Sequence, residues 1–237
     1  MSKAIEYLKG GVVVSCQAEG QDPFNHPEYI AAFARAAEMG GAVGIRAQGV
    51  DNISAIRNTV ALPVIGIIKG VFEDDWVLIT PDFKDVEHLI TAGADIVALD
   101  VTQRIRPNGM DGFRFFSEVR QRYDIPLMAD VSTFDEGVQA AELGADIVST
   151  TLSGYTPYTE HLSDGSPDFD LIEQLAYEIT APIIAEGRIW GPTDAVIAIE
   201  RGAYAVVVGT AITRPRVITQ RFVESVIHAT RQRNQRL

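Results

Sequence analysis

Two punctuation marks, used repeatedly, constrain this chain more than anything else in it. Gly41-Ala42, Gly93-Ala94, Gly144-Ala145 and Gly202-Ala203 each stand directly before, or at the start of, an apolar run, at spacings of 52, 51 and 58 residues. Between them, Leu62-Pro63, Ile125-Pro126 and Ala181-Pro182 each open another apolar run. Glycine suits the position just past a helix, and proline suits a position just beyond a helix or at the first residue of a strand. Their alternation reads as a βα-βα unit used about four times over. The strands that result are roughly Val12–Ala18, Val43–Ala47, Val64–Lys69, Ile96–Asp100, Leu127–Val131, Ile147–Thr151, Ile183–Glu186 and Ala205–Gly209. Most are short continuous apolar runs, as parallel strands covered by helices require. Helical spacing links Tyr29, Ile30, Phe33, Ala36 and Ala37, then Val86, Leu89 and Ile90, then Val138, Ala141 and Leu143. Thr133 followed by Glu136 reads as a capping box. Eight strands alternating with eight helices predict an α/β fold, a single (β/α)8 TIM barrel, and 237 residues suit one such domain over 1–237. A polar, basic tail from about residue 229 reads as a frayed helix end whose cations suit the helix dipole. An open doubly wound sheet is the rival, but no G-x-G-x-x-G follows the first strand.

Composition narrows the partners. Hydrophobic residues make up 46% and charged residues 22%, a globular balance. Lys and Arg number 20 against 32 Asp and Glu, a net charge of −12, which argues against nucleic acid and against an anionic membrane surface as partners. Cys16 stands alone, so no intramolecular disulfide forms, which suits a reducing compartment. No apolar run approaches the ~18–20 residues of a membrane helix, and Val12 to Val14 is too short for a signal peptide. The expected location is cytoplasmic.

Barrels of this kind carry their chemistry at the C-terminal ends of the strands. The polar residues there are Gln17, Arg46, Lys69, Asp100, Asp130, Ser132 and Thr133, the run Ser149 to Ser153, Glu186, Arg188, Gly209 and Thr210. A charge ending an apolar strand is costly to bury unless paired or functional. Lys69 after Ile67-Ile68 and Glu186 after Ile184-Ala185 therefore read either as an ion pair tying off the rim or as reactive groups, and position alone leaves both open. Asp100 reads as a loop starter, and Gln17 and Ser132 as hydrogen-bonding rim residues. Gly187-Arg188 and Gly209-Thr210 follow strands seven and eight, where barrels often bind phosphate on loop amides; Arg214 adds a second guanidinium. The four histidines (His26, His88, His161 and His228) are dispersed and none ends a strand, so no metal is expected. No histidine is placed to activate Cys16, which reads as a buried structural thiol. The stretch from Tyr155 to Pro167 has the length of a lid.

These residues also match a family. The chain resembles the bacterial N-acetylmannosamine-6-phosphate 2-epimerases from about Gly10 to Ile227. The resemblance is carried by Ser15-Cys16-Gln17-Ala18, Gly44-Ile45-Arg46-Ala47-Gln48-Gly49, Gly66-Ile67-Ile68-Lys69, Ile79-Thr80-Pro81, Ala98-Leu99-Asp100 with Arg106-Pro107, and Ala129-Asp130 with Ser132-Thr133. It continues through Ser149-Thr150-Thr151-Leu152-Ser153-Gly154-Tyr155-Thr156, Glu186-Gly187-Arg188-Ile189 and Ala211-Ile212-Thr213-Arg214-Pro215. One departure is Gly70, where many relatives carry a charged residue. The resemblance implies interconversion of N-acetylmannosamine 6-phosphate and N-acetylglucosamine 6-phosphate, a step in sialic acid and amino-sugar breakdown. It implies no organic cofactor, and a homodimer in which the last helix reaches across to the partner.

That reaction needs a base at carbon 2 of the ring-opened sugar, help in opening the ring, and a stabiliser for the enolate. Lys69 is the expected base, provided it spends part of its time as the free amine. By resemblance Glu186 is the partner acid/base. Gln17, Arg46 and Asp130 look like sugar-orienting groups, with Ser153 and Tyr155 beside them, and Arg46 also suits an enolate. Gly187, Arg188, Gly209, Thr210 and Arg214 are expected to hold the phosphate. Three rivals use the same scaffold: a phosphosugar aldolase with Lys69 as Schiff-base nucleophile, a non-catalytic phosphosugar sensor, and a metal-dependent ribulose-phosphate epimerase.

Overall fold

The computed structural model describes residues 1–72, 77–163 and 165–234. In chain order its strands are β1 (Val12–Cys16), β2 (Gly44–Gln48), β3 (Val64–Ile67), β4 (Lys69–Val71), β5 (Val77–Ile79), β6 (Ile96–Asp100), β7 (Leu127–Asp130), β8 (Ile147–Ser149), β9 (Ile183–Glu186) and β10 (Ala205–Val208). Its helices are α1 (Lys3–Tyr7), α2 (Pro27–Met39), α3 (Val50–Arg57), α4 (Phe83–Ala92), α5 (Gly112–Arg122), α6 (Phe134–Glu142), α7 (Phe169–Glu178), α8 (Pro192–Glu200), α9 (Thr210–Thr213) and α10 (Pro215–Asn234). Eight strands pair in parallel and close on themselves in the order β1-β10-β9-β8-β7-β6-β3-β2, the (β/α)8 barrel expected from the sequence. Closure is made where Val13 pairs with Gly44 on one side and Val207 on the other.

The repeated punctuation has one physical cause at each site. Gly41, Gly93, Gly144 and Gly202 are left-handed, with φ of 90°, 94°, 88° and 99°. The alanine after each donates its N–H five residues back, from Ala42, Ala94, Ala145 and Ala203 to the carbonyls of Ala37, Leu89, Ala140 and Ala198, at 3.0 to 3.1 Å. This is the Schellman ending, and it closes each helix. The next residue begins the ladder at once: Val43, Asp95, Asp146 and Tyr204 donate to Val12, Val64, Leu127 and Ile183 of the preceding strand. The prolines do the complementary job. Pro63, Pro126 and Pro182 accept from Ile45, Val97 and Val148 through their carbonyls, and need no N–H of their own just before a strand.

Alternate residues of the strands fill the barrel, with Val13, Ile65, Ile96, Met128, Ile184 and Val207 among the buried interior set. Ile5 and Leu8, both 0% exposed, join it from below, so α1 plugs the N-terminal end. At that end Arg57 bonds Asp95 at 2.9 Å and Arg120 bonds Asp146 at 2.7 Å. Each carboxylate also accepts from the first residue of a strand, Val64 at 2.8 Å and Leu127 at 2.9 Å. The floor is thus held by a repeated clamp, leaving the opposite end for chemistry.

Two placements depart from the sequence reading. The third barrel strand ends at Ile67, and Lys69 opens a hairpin in which it pairs with Ile79. That hairpin accounts for Gly70: a Cβ there would lie 2.7 Å from Pro81 Cγ and 3.0 Å from the Phe72 ring. Thr80 anchors the hairpin to β6, donating its hydroxyl to Ala98 O at 2.7 Å and its N–H to Ile68 O at 2.6 Å. At the chain end, α10 runs unbroken to Asn234, so the described part of the polar tail expected from about 229 is helical. Residues 235–237 lie outside the described residues, as does Asp164 of the expected lid.

Candidate active site

A cavity of about 970 Å³ opens at the C-terminal end of the strands. Its wall includes Gln17, Glu19, Arg46, Lys69, Arg104, Thr151, Tyr155, Glu160, Glu186, Gly187, Arg188, Trp190, Gly209, Thr210 and Arg214. Five of the lining side chains are cationic and three are carboxylates, in a chain whose net charge is −12. That inversion of sign marks the cavity as a place for an anion.

Its floor is a buried polar network. Arg46 rises from β2 and is wholly buried. It grips Asp130 of β7 with both Nη atoms, at 3.1 and 2.6 Å, and Glu186 Oε2 with Nη1 at 2.9 Å. Burial works against the guanidinium charge, but Asp130 and Glu186 together more than offset this, and Arg46 is held cationic above its ordinary range. Thr151 Oγ1 lies 2.8 Å from Asp130 Oδ1, 3.1 Å from Glu186 Oε2 and 2.8 Å from Ser149 Oγ. One hydroxyl has one proton, so Thr151 satisfies only one of the two carboxylates. Glu186 is the one pushed towards neutrality: burial lifts its pKa to about 7, with Arg46 pulling down and Asp130 pushing up. A protonated Glu186 donates to Thr151, which donates to Asp130, so both carboxyl contacts of the one hydroxyl are satisfied. The site thus holds a carboxylic acid near neutral pH, tuned for proton transfer.

Lys69 reaches the same cavity from the hairpin and forms an ion pair with Glu19, on the loop after β1. The same carboxylate oxygen lies 3.2 Å from Arg214 Nη2. Burial raises the Glu19 pKa, and Lys69 and Arg214 outweigh it, so the group is held below its usual range. Gln17 is buried beside them. Its amide nitrogen donates to Ser15 Oγ at 2.7 Å, while its buried Oε1 has no partner among the described residues. Such an acceptor is costly to leave empty and calls for a donor from a ligand.

The two glycine turns lie on the far wall. Gly187 (φ 111°) and Arg188 (φ 57°) are consecutive left-handed residues after β9. The non-glycine position is held by its own side chain, which donates to Ser166 O at 3.0 Å and to Ser153 O. Gly209 and Thr210 open α9, whose leading N–H groups have no intrahelical acceptor. Tyr155 lines the cavity, 56% exposed, with the Arg188 guanidinium 5.9 Å from its ring centre.

Of the residues picked from the sequence, Gln17, Arg46, Lys69, Tyr155, Glu186, Gly187, Arg188, Gly209, Thr210 and Arg214 meet in this wall. Asp130 and Ser153 do not. Asp130 is wholly buried behind Arg46, and Ser153 is buried with its hydroxyl given to Asp168 at 2.6 Å. Both were expected to contact the sugar, but the side chains of Asp130, at the end of β7, and of Ser153, beyond β8, serve neighbouring residues. Cys16 is buried, its thiol pushed up to about 12 by burial, and is structural as expected. Among the described residues no group of three His, Cys, Asp or Glu side chains is arranged to hold a metal ion.

Sequence reasoning missed Glu19, Arg104 and the tie that holds the loop after β8. Arg104 lines the cavity and pairs with buried Asp100. Glu136, wholly buried, accepts from Ser132 N–H and Oγ at 2.8 and 2.7 Å, Thr133 N–H at 3.1 Å, Gln103 N–H at 3.2 Å and Tyr158 OH at 2.5 Å. The expected capping box is there, and its glutamate also binds the loop after β8 to the loops after β6 and β7. Its burial is a tertiary effect that no local spacing carries.

Comparison with known proteins agrees with this geometry. A family model described as "Putative N-acetylmannosamine-6-phosphate epimerase" matches residues 30–228. A curated relative in Caldanaerobacter subterraneus subsp. tengcongensis, named "Putative N-acetylmannosamine-6-phosphate 2-epimerase", is 52% identical over 220 residues, covering 92% of each chain. One of the same name in Clostridioides difficile is 46% identical over 222 residues, 94% of this chain and 98% of the relative. The solved N-acetylmannosamine-6-phosphate 2-epimerase of Clostridium perfringens superposes with a TM-score of 0.87 at 43% identity, over 94% of this chain and 96% of that one. The resemblance read from the motifs therefore holds over most of the chain, which belongs to the N-acetylmannosamine-6-phosphate 2-epimerase family.

Proposed function

We propose that this chain interconverts N-acetylmannosamine 6-phosphate and N-acetylglucosamine 6-phosphate by moving the proton on carbon 2 of the ring-opened sugar. The observation that carries the reading is the cavity wall, which sets Lys69 and Glu186 beside an anion-seeking group of arginines and glycine turns.

The proton on carbon 2 is hardly acidic in the closed ring. With the ring open, carbon 1 is an aldehyde and the same proton becomes removable. Glu186, protonated near neutral pH, donates to the ring oxygen as the carbon 1 to ring-oxygen bond breaks and is restored by the proton that leaves the carbon 1 hydroxyl, so that the aldehyde forms and the acid is ready to donate to the developing enolate. Lys69, as the free amine, takes the carbon 2 proton to leave a planar enolate, and a solvent-exchangeable proton, from the resulting ammonium or from Glu186, is delivered to the opposite face of carbon 2, which inverts it. Arg46, fixed by Asp130, presents a rigid positive charge that favours the enolate over the neutral aldehyde. Gln17 Oε1 accepts from a hydroxyl or the amide N–H of the sugar, satisfying the acceptor left open. Gly187, Arg188, Gly209, Thr210 and Arg214 hold the phosphate, and this remote binding energy orients a floppy open chain for proton transfer. Asp130 and Ser153 support the site from behind the wall rather than touching the sugar. No step draws on an organic cofactor or a metal ion.

We also assign the chain to the cytoplasm and to a homodimer. Unpaired Cys16 suits a reducing compartment, and among the described residues no helix is long and apolar enough to cross a membrane. Phe222, Val223, Val226 and Ile227 form one apolar stripe along α10, 44% to 70% exposed in the single chain, and a second copy is the partner proposed for it.

The reading is tested by Lys69→Ala and Glu186→Gln in an assay that follows both epimers. Each variant is expected to keep its fold by circular dichroism and to lose about 10²- to 10⁴-fold in kcat. Wild-type turnover in Lys69→Ala would remove the lysine from the reaction.

A further inference from the structure

Glu19 is a carboxylate of the cavity to which the proton transfers give no task, and it is paired with two of the cavity's cations. A single one of its oxygens, Oε1, serves both Lys69 Nζ and Arg214 Nη2. These are the base and a phosphate anchor of the reaction proposed above. The backbone around it is fixed. Asp22 N–H closes a turn onto Glu19 O at 3.1 Å, with Gly20 left-handed at φ 56°, and Asp22 Oδ1 accepts from Phe24 N–H at 3.0 Å. Its side chain, by contrast, is 45% exposed and can leave the cations by rotation alone, without movement of the loop.

Glu19 and a phosphate compete for Arg214. A phosphate bonded to Arg214 would bring its charge against the Glu19 carboxylate at contact distance, where like charges repel. The carboxylate that gives way to phosphate is the same one that holds Lys69.

We propose that Glu19 is a latch: in the empty site it occupies Arg214 and Lys69 together, and the phosphate of the substrate releases both by displacing it. The inference rests on the reading of Lys69 as the base and of Arg214 as a phosphate anchor. It makes the phosphate more than a handle. A sugar without phosphate finds Lys69 still tied to Glu19 and not free to act as the base. Glu19 is then a positioning residue that acts through Lys69 and Arg214 and sets specificity for phosphorylated over unphosphorylated N-acetylhexosamines.

The test is Glu19→Gln, which keeps the size of the side chain and removes its charge. Calorimetry gives the Kd of inorganic phosphate for both proteins. Kinetics give kcat/KM for N-acetylmannosamine 6-phosphate and for N-acetylmannosamine, the latter with and without added inorganic phosphate. The variant is expected to bind phosphate about fivefold more tightly, as removal of a partly exposed competing pair would allow. Its kcat/KM on the unphosphorylated sugar is expected to rise about tenfold while that on the phosphosugar stays within about threefold. Inorganic phosphate is expected to stimulate the wild type on the unphosphorylated sugar and to leave the variant unchanged. Equal phosphate affinities with an unchanged ratio between the two sugars would overturn the latch. Loss of turnover on both sugars would overturn it as well, by placing Glu19 in the chemistry itself. A wild type that epimerises neither sugar would sink the proposed function instead, and the two phosphate Kd values would still decide whether Glu19 competes for Arg214.

Discussion

Asp130→Asn separates two roles for one residue. The sequence reading makes Asp130 a sugar contact, whereas the structure puts it behind Arg46 with no exposure at all. If it holds Arg46, replacing it removes one of two counter-charges from a wholly buried guanidinium. Removing one partner of a buried pair costs about 3–5 kcal/mol, and Glu186 remains to take up part of the charge, so a loss of about 3 kcal/mol is expected. For a chain of this size that lowers Tm by about 6–12 °C. The substitution also acts on Glu186. The shared Thr151 hydroxyl, at 2.8 and 3.1 Å, keeps the two carboxylates within about 6 Å of each other. At that separation and an effective dielectric near 20, two unit charges repel by about 3 kcal/mol, about two pH units. Arg46 lies between them and shields part of this, so about one unit is expected. The sign follows from the cause: Asp130 pushes the Glu186 pKa up, so its removal lets it fall from about 7. The pH profile of kcat/KM should then turn over about one unit lower than in the wild type. Thermal unfolding and the pH profile together check this. A variant with unchanged Tm and an unmoved profile but a raised KM would refute the reasoning and return Asp130 to the sugar.

Two further outcomes follow from the same geometry. Arg214→Ala is expected to raise KM for the phosphosugar about tenfold or more with kcat reduced far less, because a charge-assisted bond to phosphate is lost; an unchanged KM in steady-state kinetics would count against the phosphate assignment. Glu136→Ala strands four buried or half-buried N–H and O–H donors of the loops after β6 and β7 and frees Tyr158, so a stability loss of about 3 kcal/mol by chemical denaturation is expected, with Tyr158→Phe costing about 1 kcal/mol.

The barrel was legible because its repeat is written in residues with few alternatives. A left-handed helix ending asks for glycine, and a residue that needs only a carbonyl just before a strand admits proline. The same logic found Lys69, Arg46, Glu186 and the two glycine turns, since strand ends in a barrel point one way. It failed where placement depends on what packs later. Lys69 looked like the end of a strand because Ile67-Ile68-Lys69 is one apolar run closed by a charge. The hairpin that actually carries it is set by Thr80 bonding to Ala98 and by Pro81 packing on Gly70. Asp130 ends β7 as read and Ser153 follows β8, but both side chains are buried against neighbours, and burial of one side chain behind another is not a local property. Glu19 carries no periodicity and no strand, so only the approach of two distant cations marks it.

The central claim is proton transfer at carbon 2 in this cavity, and proton NMR tests it most directly. N-acetylmannosamine 6-phosphate would be incubated with the enzyme in heavy water with a chelator present. The account predicts the gluco epimer with deuterium at carbon 2, and loss of that exchange in Lys69→Ala. Epimer formed with the carbon 2 proton fully retained, or no exchange and no turnover by a folded protein, would contradict it.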